Sequence, residues 1–75
     1  MDELIALLED INDEADFRNS TSLIDNHELD SFTILEIIAA LDDHYGISIP
    51  ASDIVAENFN SAEAMLKMVN RLKNA

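Results

Sequence analysis

The stretch Glu28-Leu29-Asp30-Ser31-Phe32-Thr33-Ile34-Leu35 marks the point where a polar run gives way to an apolar helical pattern. From there Ile34, Ile37, Ile38, Leu41 and Tyr45 recur at helical spacing, which predicts a helix from Ser31 to Tyr45 with Gly46 as its stop. A serine at that start, directly behind an aspartate, has two readings. It is a helix cap and nothing more, or it is a hydroxyl presented for chemistry.

Upstream, Leu4, Ile5, Leu8 and Ile11 alternate with Glu3, Glu9, Asp10 and Asp13, the pattern of an amphipathic helix over roughly residues 2–15. Residues 18–30 are rich in Asn, Ser, Thr and Asp, whose side chains compete with the helix for backbone hydrogen bonds. They read as a long loop pinned to the core by Leu23 and Ile24, and a connection of that length in so small a chain is usually either functional or disordered.

Downstream, Ile47-Ser48-Ile49-Pro50 is a short extended link, since Pro50 disfavours helix at Ile49. A brief helix is expected from Ala51 to Glu57, with Pro50 near its start. Asn60 and Glu63 then stand at capping-box spacing with Phe59 as a staple, and Ser61 is the alternative cap. The last helix carries Ala62, Met65, Leu66, Val69 and Leu72 on one side. Lys67, Arg71 and Lys73 lie towards its C-terminus, where the helix dipole favours cations. No useful strand alternation or internal repeat appears. The expected architecture is all-α: a small four-helix bundle of three longer helices and one short one, a single domain over residues 1–75.

Composition narrows the function. At 75 residues the chain buries only about 60–65% of the surface its unfolded form exposes, so the core is thin and a deep catalytic pocket is not expected. Sixteen acidic against four basic residues give a net charge of −12, the wrong sign for nucleic acid or an anionic membrane. Partners with basic patches are expected instead. With 48% hydrophobic residues in clear periodicity, the chain folds rather than remaining an acidic tail. It has no cysteine, hence no disulfide, thiolate zinc site or thiol nucleophile. The start Met1-Asp2-Glu3 is acidic where a signal peptide is basic, and no apolar run approaches the roughly 20 residues of a membrane span. The expectation is a cytoplasmic monomer.

The helix after Ser31 has two faces. Ile34, Ile37, Ile38, Leu41 and Tyr45 form the core stripe, with Ile34, Ile38 and Leu41 expected to be buried and Ser31 exposed. Phe32, Leu35, Glu36, Ala39, Asp42 and Asp43 form the other, which mixes apolar residues with carboxylates. Phe32 and Leu35 either cover the loop or stand open for a partner. Between Asn19 and Leu66 there is no Lys or Arg, while Asp25, Glu28, Asp30, Glu36, Asp42, Asp43, Asp53, Glu57 and Glu63 all fall in that interval. Asp42 and Asp43 sit near a helix C-terminus, where the dipole opposes them. A basic partner explains their retention, as does solubility. Such crowding predicts a melting temperature that rises with salt, divalent cations or mild acid.

Other chemistry finds little support. Ser31 lies in no Gly-x-Ser-x-Gly elbow, and neither His27 nor His44 comes with an orienting carboxylate. Two histidines without cysteine or His-x-x-x-His spacing make no zinc site. Asp10-x-Asn12-x-Glu14 and Asp25-x-His27 lack the glycine and terminal glutamate of a calcium loop. No metal is expected, beyond incidental divalent binding at the carboxylates.

Asp30-Ser31-Phe32 resembles the Asp-Ser-Leu motif of acyl carrier proteins, whose serine receives 4′-phosphopantetheine. Ile37, Leu41 and Tyr45 fall at the family's apolar positions in its second helix. Ile47-Ser48-Ile49-Pro50 is similar to its link ending in Ile-Pro, and Phe59-Asn60-Ser61 to the entry of its last helix. The resemblance spans essentially the whole chain. Many fatty-acid carriers have Gly and a small residue where this chain has Glu28-Leu29, and Leu-Asp-Ser is closer to D-alanyl and some peptidyl carriers. D-alanyl carriers usually place a Trp ahead of the last helix, where this chain has Phe59.

The resemblance implies a carrier with no catalysis of its own, holding acyl intermediates as thioesters on 4′-phosphopantetheine attached to Ser31, for fatty-acid or specialised acyl-chain biosynthesis. The alternative is a D-alanyl or peptidyl carrier. The implied partners are a phosphopantetheinyl transferase and acyl- or aminoacyl-loading and -processing enzymes with basic patches, docking on Asp30, Phe32, Leu35, Glu36, Ala39, Asp42 and Asp43. A rival from another class is a plain acidic helical adaptor, with Ser31 as N-cap or phosphorylation site.

Overall fold

Helix α1 spans Asp2–Ile11, α2 Ser31–Tyr45, α3 Ala56–Phe59 and α4 Ala62–Lys73, with a 3-10 turn at Ala51–Asp53, in a computed structural model that describes residues 2–74. No strand occurs among the described residues. Helix α1 packs against α2 and α4, α2 also meets α4, and α3 lies on α4. Leu4 and Leu8 of α1, Ile37 and Leu41 of α2, Phe59, and Met65, Met68 and Val69 of α4 fill the interior. This is the expected all-helical bundle.

Several boundaries differ from expectation, each for a local reason. Helix α1 stops at Ile11, short of residue 15. The Asn12 side chain turns back and accepts the Glu14 N–H at 2.8 Å, a local bond that replaces the next helical one. The freed chain carries Ala15 and Phe17 into the core, anchors additional to Leu23. Ile24 is only half-buried, whereas Leu29, two residues before Ser31, is fully covered.

The brief helix expected over Ala51–Glu57 is split. After the 3-10 turn, Ile54 leaves helical geometry at φ −85°, ψ 75°, and Val55 is extended at φ −132°, ψ 155°. Two consecutive β-branched residues favour that extended conformation. Helix α4 is capped by Ser61, whose Oγ accepts the Ala64 N–H at 3.0 Å, and not by Asn60.

On α2 the buried positions are Ile37 and Leu41. Ile34 and Ile38, expected inside, are half-buried. At 100° per residue Ile34 lies about 40° and Ile38 about 80° to one side of the midline between Ile37 and Leu41, towards the edge of the buried stripe. Gly46, at φ 65°, ends the helix in the left-handed conformation that glycine adopts without steric cost. At that end Tyr45 is half-buried, and desolvation, helped by the charge of Glu3, pushes its phenol above its ordinary pKa.

Candidate functional site

Ser31 is the first residue of α2 and is exposed. It does not cap the helix. That role belongs to Asp30, whose Oδ1 accepts the Thr33 N–H at 2.7 Å. The same bond holds the Asp30 carboxyl below its ordinary pKa, because it favours the ionised form. Among the described residues no group bonds the Ser31 hydroxyl. A cap would have its oxygen turned onto its own backbone; Ser31 offers its oxygen to solvent at the positive end of a helix fifteen residues long.

The approach to Ser31 is tightly held. Leu23 O accepts the N–H of Glu28 at 2.9 Å and of Leu29 at 3.2 Å, closing a turn in which His27 adopts φ 59°. Glu28 reaches back along the loop, accepting the Ser20 hydroxyl at 2.7 Å and the Asp16 N–H at 3.3 Å. With Leu29 buried beneath, Asp30 and Ser31 leave the core on a fixed support.

Beside Ser31 lie two different surfaces. Outward, Phe32 is 70% exposed and Leu35 64%, so neither covers the loop. Glu36, Ala39 and Asp43 are exposed on the same side. Inward, Ile34 lines an apolar cleft of about 90 Å³ with Ile24, Ile54, Val55, Ala56 and Phe59. Ile54 and Val55, each 41% exposed, form its lip. Sequence reasoning missed this lip, having placed both residues in a continuous helix; the paired β-branched residues were the available signal.

Asp42 departs from the open face. It is half-buried, and its Oδ1 accepts the Ile49 N–H at 3.0 Å, fixing the link to Pro50. Its place near a helix C-terminus therefore has a structural cause. The expected crowding of carboxylates is also relieved. Asp25, Glu28, Asp30 and Asp42 accept hydrogen bonds, Asp53 is forked by Arg71, and Glu63 pairs with Lys67. Glu36, Asp43 and Glu57 are left for solvent or a partner. The remaining cations are engaged at a distance in sequence: Arg18 with Glu9 and Asp2, and Lys73 over the Tyr45 ring.

Among the described residues no catalytic partner stands at Ser31. His44 is thirteen residues along α2, about 20 Å away at 1.5 Å per residue. It lies edge-on to Tyr45 and 3.5 Å from Glu3. His27 is exposed in its turn. Among the described residues no three metal-ligating side chains cluster, and no helix is long and apolar enough to cross a membrane.

A family model described as "Phosphopantetheine attachment site" matches residues 2–69. The chain belongs to this family of carrier proteins. Similar relatives are D-alanyl carrier proteins. That of Streptococcus mutans is 32% identical over 75 residues, covering 100% of this chain and 87% of that protein. That of Streptococcus gordonii shows the same identity and coverage. The Streptococcus sanguinis protein is 31% identical over 68 residues, 91% of this chain and 81% of that protein. As a member of the family this carrier has 4′-phosphopantetheine as its cofactor. The residues at the start of α2 fit such a group: an exposed, unbonded hydroxyl on a rigid support, beside helix N-terminal N–H groups that favour a phosphodiester anion.

Proposed function

We propose that this protein is an aminoacyl carrier of the D-alanyl kind, with Ser31 as the attachment point. The single observation that carries the assignment of Ser31 is its free, exposed hydroxyl at a helix start capped by its neighbour Asp30. In the adaptor reading Ser31 is the cap; here the cap is another residue. The relatives favour the aminoacyl alternative over the fatty-acyl one.

The chain supplies the acceptor and its placement. Ser31 Oγ attacks the phosphorus of a pyrophosphate-linked pantetheine donor, the bond from that phosphorus to the nucleotide phosphate breaks, and the Oγ proton passes to a base on the transferase. Among the described residues no base is bonded to Oγ, so the transferase brings it. When bound, the cofactor contributes the terminal thiol that a cysteine-free chain lacks. Phe32, Leu35, Glu36, Ala39 and Asp43 form the docking face for the transferase and the loading enzyme. Asp30 borders it, and Asp42 serves the fold instead. Encounters with basic partners are driven electrostatically and weaken as salt rises.

The test is loading. The protein is co-expressed with a phosphopantetheinyl transferase and offered D-alanine with a D-alanine-activating enzyme and ATP, or a fatty-acyl donor with its ligase. A hydroxylamine-sensitive mass gain of one D-alanyl group, without a matching fatty-acyl gain, is expected. Acylation by the fatty-acyl ligase alone contradicts the aminoacyl reading, and no phosphopantetheine gain with any of several transferases favours the adaptor.

A further inference from the structure

Asn60 lies far from Ser31 in sequence and outside the open face of α2. Its side chain nonetheless makes three hydrogen bonds to the loop before α2. Oδ1 accepts the N–H of Ile24 at 2.9 Å and of Asp25 at 3.1 Å. Nδ2 donates to Asp25 Oδ2 at 3.3 Å, and the Asn60 carbonyl accepts the Leu23 N–H at 2.9 Å. Three consecutive loop residues are thus held by one residue at the α3–α4 junction.

These bonds continue to Ser31. The Leu23 carbonyl accepts the N–H of Glu28 and Leu29, Leu29 is buried, and Asp30 then caps α2. Asn60 also joins the cleft's walls: it fixes the backbone of Ile24, and Phe59 precedes it directly. Ile34, opposite them in the cleft, sits one turn below Ser31 on the same side of α2.

We infer that Asn60 is a positioning residue for the modification of Ser31, acting through the Leu23–Asp25 backbone and the turn that presents Leu29-Asp30-Ser31. This inference rests on the reading of Ser31 as the attachment site. The Asn60 amide accepts two N–H groups at Oδ1 and donates to a carboxylate from a separate atom, Nδ2, so one side chain reaches both sides of the junction at once.

The test compares transferase kinetics, with coenzyme A as donor, for four variants and the unaltered protein. Asn60→Ala removes the clamp. Val69→Ala truncates the core elsewhere and serves as the control for stability alone, Val69 being fully buried. Asn60→Asp keeps the acceptor but sets two carboxylates together, and Asn60→Asp with Asp25→Asn restores a donor–acceptor pair with the partners exchanged. Since small misplacements of a reacting group cost up to about a hundredfold, Asn60→Ala should lower kcat at least about tenfold, with KM changed far less because the α2 face is intact. Val69→Ala should leave kcat within about twofold, and the exchanged pair should recover most of what Asn60→Asp loses.

The inference is overturned if Asn60→Ala falls no further in kcat than Val69→Ala, or if the exchanged pair is no better than Asn60→Asp alone. Should Asn60→Ala fail to fold, the last two variants decide by themselves. If the unaltered protein accepts no phosphopantetheine, the assignment of Ser31 fails and the inference fails with it. Its own failure shows only when the unaltered protein is modified.

Discussion

The loop of residues 12–30 and the outer face of α2 meet at Ser31 and spend their side chains in opposite ways. The loop buries its apolar side chains and ties several polar ones to the fold: Ala15, Phe17, Leu23 and Leu29 enter the core, Glu28 bonds Ser20, and Asp25 bonds Asn60. A loop so rich in polar residues is ordered here because Phe17, Leu23 and Leu29 each contribute about 1.5–3 kcal/mol of burial, set against the entropy of fixing the chain. The face of α2 withholds its apolar groups, leaving Phe32 and Leu35 in water beside Glu36 and Asp43. The helix forms without them, because Ile37 and Leu41 already anchor it. Residues free of structural duty are the ones available to partners.

The largest effect that can break this comparison is on stability. Leu23→Ala should cost about 2–5 kcal/mol in denaturant unfolding, the range for emptying a fully buried leucine site. Phe32→Ala, despite losing a larger side chain, should stay within about 0.5 kcal/mol, yet slow the transferase reaction. Similar losses for the two variants would mean that the outer face is structural.

A smaller effect separates Asp30 from its neighbour. Its carboxyl titrates below its ordinary value of 3.8 because the Thr33 N–H stabilises the charge. Between the folded and unfolded values the unfolded chain binds more protons, so stability increases with pH there. The contribution is therefore complete above pH 3.8 and disappears as pH falls through the lower, folded value. Asp30→Ala should flatten that limb of the pH–stability curve and Ser31→Ala should leave it unchanged, the reverse of what a serine cap predicts. This acid loss also opposes the gain that charge neutralisation alone suggests.

Smallest is the response to salt. Crowding read from the sequence predicts stabilisation by added salt; with most of those carboxylates bonded or paired, the melting temperature should rise by only a few degrees. Charges still open at Glu36, Asp43 and Glu57 put the larger salt effect on partner association. A large rise in melting temperature would show that the hydrogen-bonded carboxylates repel one another after all.

The helices were legible because their periodicity is long and regular: α2 starts and stops where Ser31 and Gly46 predict. Ser31's exposure and the open Phe32–Leu35 pair followed from the same wheel. What sequence did not show are the long-range bonds. Nothing local says that Asn60 grips residues 23–25 rather than capping α4, since a capping-box spacing is equally present. Nor does helical spacing reveal that Asp42 folds back onto Ile49, which takes it off the face where the wheel puts it. Ile34 and Ile38 were misplaced for a related reason: a wheel ranks directions without saying how wide an arc the neighbouring helices cover.

The central claim is that the hydroxyl at the head of α2 receives the cofactor. Intact-mass measurement after co-expression with a phosphopantetheinyl transferase tests it most directly. The unaltered protein should gain the mass of one phosphopantetheine, and Ser31→Ala should gain none while keeping its helical signal and melting temperature. A gain that survives Ser31→Ala would place the attachment at another hydroxyl and contradict the account.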